Sequence, residues 1–155
     1  EERKQKVNFS IPYKIIDQAI CVPIDSDLNA IAAFMGDNVV GTQRGCTAAM
    51  WIEDNLVKTG LLPKEQLKLY DNFPLALQDL QNGRIDAGMM DDVAIKDAIT
   101  QGMSIKIVGT IITGEGYGVA VRKEDTELLE MINEGLTRLM NSPKWEELKE
   151  KYPDA

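Results

Sequence analysis

Two turns in this chain of 155 residues place groups that can hold opposite charges. The first, Gly45-Cys46-Thr47, follows the apolar run Val39-Val40-Gly41-Thr42 and opens a helix. A helix start presents backbone N–H groups with no intrahelical partner and the positive end of the dipole, so it favours an anion. Thr47 adds a hydroxyl there, and Gly45 lets a ligand approach the backbone closely. Cys46 contributes its N–H, with a thiol that bonds more weakly than a hydroxyl. The second turn, Asp91-Asp92, follows the nearly continuous apolar run from Ile85 to Met90. Asp91 offers a carboxylate to a cation, and Asp92 suits the first helical turn as a partner of the dipole. In open α/β sheets such strand-to-helix turns are where small polar ligands are held. One anion site and one cation site together suit a zwitterion. A plain structural role is also open to both Thr47 and Asp91, since each is a residue type common at helix N-caps.

The elements that must position these turns alternate along the chain. Apolar runs predict strands over 19–24, 38–42, 67–70, 85–90, 105–108 and 117–121. Helices are expected over 28–34, capped by Asp27, and from Thr47 to about Lys58, stopped by Gly60. A third starts at Pro74 and closes at Gly83, and a fourth runs from Asp91 to about Ile99. A long helix from Asp125 or Thr126 carries Leu128, Leu129, Ile132, Leu136, Leu139 and Met140 on one face, and Pro143 opens a last helix. Strands alternating with helices predict an α/β fold with a mainly parallel sheet covered on both sides. Asp25-Ser26-Asp27 and Thr113-Gly114-Glu115-Gly116 read as breaks. They bound a compact 26–116, with 1–25 and 117–155 belonging to a neighbouring body.

Composition narrows the chemistry. The chain is 44% hydrophobic, which supports a packed core. Its net charge of −8 argues against nucleic acid and anionic membranes as partners. Histidine is absent, which excludes a His-based triad and makes a transition-metal site improbable. The two cysteines form no CxxC, so neither a zinc site nor a redox pair is expected. No cofactor and no metal is expected.

Four segments in order carry a resemblance: Glu2-Arg3 through Val7-Asn8-Phe9-Ser10-Ile11-Pro12-Tyr13; Val40-Gly41-Thr42-Gln43-Arg44-Gly45-Cys46-Thr47; Leu77 through Gly83-Arg84-Ile85-Asp86-Ala87 to Asp91; and Tyr117-Gly118-Val119-Ala120-Val121-Arg122-Lys123. In this order the chain resembles the periplasmic-type solute-binding proteins that deliver amino acids to ABC importers, such as the glutamine-binding and lysine/arginine/ornithine-binding proteins. The resemblance implies a two-lobed α/β fold, with 26–116 as a complete lobe two and 1–25 and 117–155 as parts of a lobe one whose start is missing.

The resemblance also implies roles. Arg3 matches the arginine that clamps the ligand α-carboxylate, as a bidentate guanidinium can. Thr47, with Gly45 and Cys46, matches the carboxylate-binding turn, where Cys46 stands in place of the common serine. Asp91 matches the carboxylate that binds the α-ammonium. Gln43 and Met90 fall where side-chain contacts are made, although Met90 suits the core equally. Neither position carries a fixed charge, which disfavours a strictly cationic or anionic ligand. Trp51 and Trp145 lie on apolar helix faces and read as core. The implied function is extracytoplasmic capture of an amino acid for an ABC transporter permease, without catalysis. A sensor domain of a receptor is the alternative from another class. An enzyme on the same scaffold would have only Glu115 as an acid or base nearby. The apolar face of the long helix predicts a homodimer or swapped oligomer through 1–25 and 117–155.

Overall fold

The computed structural model describes residues 2–152. It divides into two units, Asp17–Thr113 and Glu1–Ile16 with Gly114–Ala155. The second division falls within the expected break 113–116, whereas the first lies inside a long strand at 16/17 and not near 25.

The Asp17–Thr113 unit is built on a five-stranded sheet. Its strands are β2 (Lys14–Pro23), β3 (Val40–Gln43), β4 (Leu67–Tyr70), β5 (Ala87–Asp91) and β6 (Ile105–Tyr117), in the order β4-β3-β5-β2-β6. β3 runs parallel to β4 and to β5, with Val40 opposite both Leu67 and Ala87. β2 runs antiparallel to β5. The parallel trio is what helical crossovers produce; the mixed character comes from the two long strands. Strand 19–24, expected with 1–25, is instead the inner part of β2. Its residues Ala19, Ile20, Cys21 and Val22 are all buried, because β2 is paired with neighbours on both edges and covered on both faces.

Alternation along the strands sorts the core into two layers. Ala19, Cys21 and Met90 pack with Ala76, Leu77 and Leu80 of α3 (Phe73–Gln81) and Ile95 and Ala98 of α4 (Asp92–Thr100). Ile20, Val22, Ala87 and Met89 point the other way, onto Ala48 and Ile52 of α2 (Thr47–Ile52). Burial on both faces explains why β5 reads as an unbroken apolar run.

Three local expectations change. The helix expected over 28–34 is only a 3-10 turn, Ala32–Phe34. Asn29, not Asp27, organises it: Asn29 Oδ1 accepts from the N–H groups of Ile31 and Ala32 and so offers the backbone a turn in place of a longer helix. α2 is shorter than expected and continues as a π-helical stretch, Glu53–Val57, whose wider turn brings both Leu56 and Val57 against the core. The segment 113–116 does carry the boundary between the units, as expected, but as strand and not as a loop. β6 runs through it, with Gly114 at φ +62°, a backbone state that lacks the usual steric cost when Cβ is missing.

The motif Gly83-Arg84-Ile85-Asp86 is structural. Gly83 ends α3 at φ +67°. Arg84 donates to Asp79 at 3.0 Å, and Asp86 Oδ2 accepts from the Val39 N–H at 2.8 Å. Asp79 also accepts from Tyr70 and Lys68, which ties α3 to β4. These donors, Tyr70 first, hold the Asp79 carboxyl down to about 2.

The other unit contains α1 (Glu2–Lys6), β1 (Val7–Phe9), β7 (Ala120–Arg122), α5 (Thr126–Met140) and α6 (Pro143–Lys151). β1 pairs antiparallel with β7, Val7 opposite Arg122. Ser10 extends this pairing: its N–H donates to Val119 O, and its hydroxyl accepts from Val119 N. A Cβ on Gly118 would lie 3.2 Å from Ser10 O, so the glycine permits this close approach. Asn133 of α5 accepts from the Ile11 N–H at 2.8 Å. None of the residues of α5 is fully buried, and Leu128 and Met131 are exposed.

Candidate functional site

β3 and β5 are adjacent and parallel, so their carboxyl ends open on one edge of the sheet. β3 ends at Gln43 and β5 at Asp91. The turn Arg44-Gly45-Cys46 then leads into α2, and α4 starts directly after Asp91. The structure therefore brings Gln43, Gly45, Cys46, Thr47, Met90 and Asp91 to the ends of neighbouring strands. Arg3 belongs to the other unit, where it is exposed on α1.

In the first turn, Gly45 adopts φ +70°, which makes glycine the fitting residue there. The N-cap of α2 is Cys46, not Thr47. The Cys46 sulfur accepts from the Ala49 N–H at 3.4 Å and lies 3.4 Å from Thr42 Oγ1. Thr47 is thereby left as the first residue of the helix, half-buried, with its hydroxyl not spent on capping. Its N–H and that of Ala48 precede the first intrahelical bond.

In the second turn, Asp91 stands at the N-cap position of α4 but makes no side-chain cap bond. Its Oδ1 instead accepts from Gln18 Nε2 at 2.7 Å. Asp92 takes the first-turn role and pairs with Lys96. The same alternation that sorts the core places Asp91 on the face of Ala87 and Met89, the side of the sheet that α2 covers. An anion-favouring helix start and a carboxylate thus share one edge and one face.

Met90 is fully buried and packs in the opposite layer, against Ala19 and Leu80 among others. Its place is the core, because odd and even residues of β5 point to opposite faces and both faces are covered by helices. Gln43, half-buried, ends β3 on the edge. Gln18 escaped the reading of the sequence. Its signal was an amide directly before the apolar run Ala19-Ile20-Cys21-Val22, a residue type that has to find a partner when buried.

Among the described residues, no group of three or more carboxylates or thiols is placed to hold a metal, and no helix is long and apolar enough to cross a membrane.

With this geometry in hand, comparison with known proteins is specific. The profile of the bacterial extracellular solute-binding proteins, family 3, matches residues 1–155. A probable histidine-binding protein of Neisseria gonorrhoeae is 28% identical over 98% of this chain and 56% of its own length. An L-arginine-binding protein of Pseudomonas aeruginosa is 29% identical over 98% of this chain and 60% of its own. The L-cystine-binding protein TcyJ of Escherichia coli is 28% identical over 98% and 56%. The chain thus spans little more than half the length of these relatives. Among solved structures, an ancestral arginine-binding protein bound to arginine superposes with a TM-score of 0.84 at 35% identity, covering 98% of this chain and 66% of that one. The holo arginine-binding protein of T. maritima gives 0.79 at 34% identity, covering 98% and 64%. These likenesses bear out the expected periplasmic-binding-protein-like α/β fold.

Proposed function

The chain belongs to the bacterial extracellular solute-binding proteins, family 3, and from that premise we propose that its Asp17–Thr113 unit holds the α-carboxylate and α-ammonium of a free amino acid at the β3/β5 edge. The Thr47 hydroxyl and the first N–H groups of α2 take the carboxylate, where the dipole and the unpaired donors favour negative charge. Gly45 keeps the backbone approachable, and Cys46 frees Thr47 by capping the helix itself. Asp91 takes the ammonium through a charge-assisted bond. Gln43 contacts the ligand side chain. Arg3 keeps the carboxylate-ligand role that its match to the family motif gives it, for which guanidinium chemistry is suited, and Arg3→Lys tests it.

The observation that carries this reading is the Asp91 side chain. A carboxylate at a helix start gains most simply by capping the helix. Here it is turned from that role toward the face where α2 begins. The relatives are binding proteins by name. The same proposal therefore has no bond made or broken, an extracytoplasmic location, and handover of the bound amino acid to an ABC permease.

Calorimetry on the full-length protein with L-arginine, L-histidine, L-cystine and L-glutamine tests it. At least one is expected to bind. Asp91→Ala should weaken that binding roughly 10- to 150-fold, since a hydrogen bond to a charged group contributes about 1.5–3 kcal/mol. Unchanged affinity removes Asp91 from the site, and no binding of any of the four overturns the reading.

A further inference from the structure

Gln18 is fully buried in β2, as are Ile16, Ala19 and Ile20 along the same strand. A buried primary amide is costly unless its polar atoms are engaged, so its presence calls for a partner that needs it. The register supplies one: Gln18 stands directly opposite Asp91 in the antiparallel β2–β5 pair. Its Nε2 donates to Asp91 Oδ1 at 2.7 Å. Both side chains project to the same layer, for Ile20 and Val22 of β2 and Ala87 and Met89 of β5 all pack toward α2. The donation therefore comes from within the sheet, on the side where Thr47 sits.

The chemistry of the donor matters. A lysine or arginine opposite Asp91 would neutralise the carboxylate and compete with an incoming cation. An acid would repel it and raise its proton affinity. A neutral amide orients one oxygen without adding a charge of its own. Packing locks the amide, so the bond also removes rotamer freedom that the carboxylate would otherwise lose on binding a ligand.

Resting on the reading of Asp91 as the ammonium ligand, we propose that Gln18 is a positioning residue of the amino-acid site: its Nε2–H holds Asp91 Oδ1 so that the carboxylate faces the edge shared with α2 instead of folding back to cap α4. Gln18 acts on the ligand only through Asp91.

The test is a double-mutant cycle on the full-length protein, read by calorimetry with the same four amino acids, with thermal melts of every variant. Gln18→Met keeps the volume and removes the donor. It should weaken binding roughly 3- to 10-fold, the worth of one hydrogen bond. Asp91→Ala, which removes the acceptor, should weaken it more, and adding Gln18→Met to Asp91→Ala should cost nothing further. That non-additivity is what a role through Asp91 requires, whereas a purely structural Gln18 gives additive losses. Should Gln18→Met fail to fold, Gln18→Asn keeps the amide but falls one methylene short; it should weaken binding similarly, and Asp91→Glu in the same chain should restore part of it.

The outcomes separate the two claims. If Asp91→Ala weakens binding while Gln18→Met and Gln18→Asn leave it unchanged, or if the losses add, the positioning role is overturned and the reading of Asp91 stands. If Asp91→Ala binds as wild type does, or nothing binds to wild type, the reading of the site fails and the positioning role falls with it.

Discussion

Gly109 in β6 is a position where one methyl group should be felt across the fold. A Cβ built there lies 2.5 Å from the Ala30 Cβ and 3.7 Å from the Ala30 Cα. Carbon atoms pack at about 3.5–4.0 Å, so Gly109→Ala has to push Ala30 away by roughly 1 Å or more. Ala30 has no torsion with which to yield, and its backbone is pinned on both sides. Asn29 Oδ1 bonds the N–H groups of Ile31 and Ala32, and Ala33, three residues on, is fully buried in the α2-side core. The strain must therefore move the 28–33 segment as a body. Overpacking of this kind costs about 1–3 kcal/mol. For a chain of this size that lowers Tm by roughly 2–12 °C. Circular-dichroism melts and urea titrations of Gly109→Ala measure it. Ala30→Gly removes the opposing methyl, so the double variant should recover most of the loss, short of about 0.5–1 kcal/mol for the added chain entropy of glycine. An unchanged Tm in Gly109→Ala, or a loss that Ala30→Gly does not relieve, would refute the packing argument.

Three further outcomes follow from other parts of the chain. Cys21 is fully buried, and burial pushes its thiol up to about 12, whereas Cys46 is partly exposed; iodoacetamide at pH 8 should therefore label Cys46 alone until urea is added, and equal native labelling of both would contradict the packing of β2. The Asp79 carboxyl lies near 2 against an ordinary value of 3.8, a depressed acid, so the stability it contributes is present above about pH 4 and is lost as pH falls from about 4 toward 2. Asp79→Asn should flatten the stability profile in that window and lower stability at neutral pH; an unaltered acid limb in urea titrations would remove the Tyr70, Lys68 and Arg84 donors as its cause. The exposed Leu128 and Met131 on α5 predict that the isolated chain of 155 residues self-associates and that Leu128→Lys with Met131→Lys returns it to monomer, which light scattering reads directly; a monomer before substitution sinks the idea.

Local chemistry made much of this protein legible from its residues. The turns at Gly60 and Gly83 were marked by glycine, and both adopt positive φ because only a residue without Cβ takes that state cheaply. Pro74 and Pro143 marked the starts of α3 and α6, where a missing N–H costs nothing. The apolar run before Asp91 declared a strand covered on both faces, and the βα alternation declared the parallel trio. Gly45 to Thr47 and Asp91 could be picked out as chemistry-bearing turns on residue type alone. What could not be read locally was how these pieces satisfy one another. Met90 and Asp91 are neighbours in the chain, yet strand alternation buries one in the α3 layer and turns the other toward α2. Cys46 rather than Thr47 caps α2, a choice made by the sulfur's distance to the Ala49 N–H and to Thr42 on β3. β6 carries the boundary at 113–116 as continuous strand, because Gly114 bends without ending it. Gln18 carries no motif; its meaning comes from a register that sets it opposite a residue 73 positions away. Sequence fixes which groups are available, since propensity and side-chain chemistry belong to single residues and short spans. Tertiary structure decides which group each one answers, since burial and pairing bring together atoms that the chain keeps far apart.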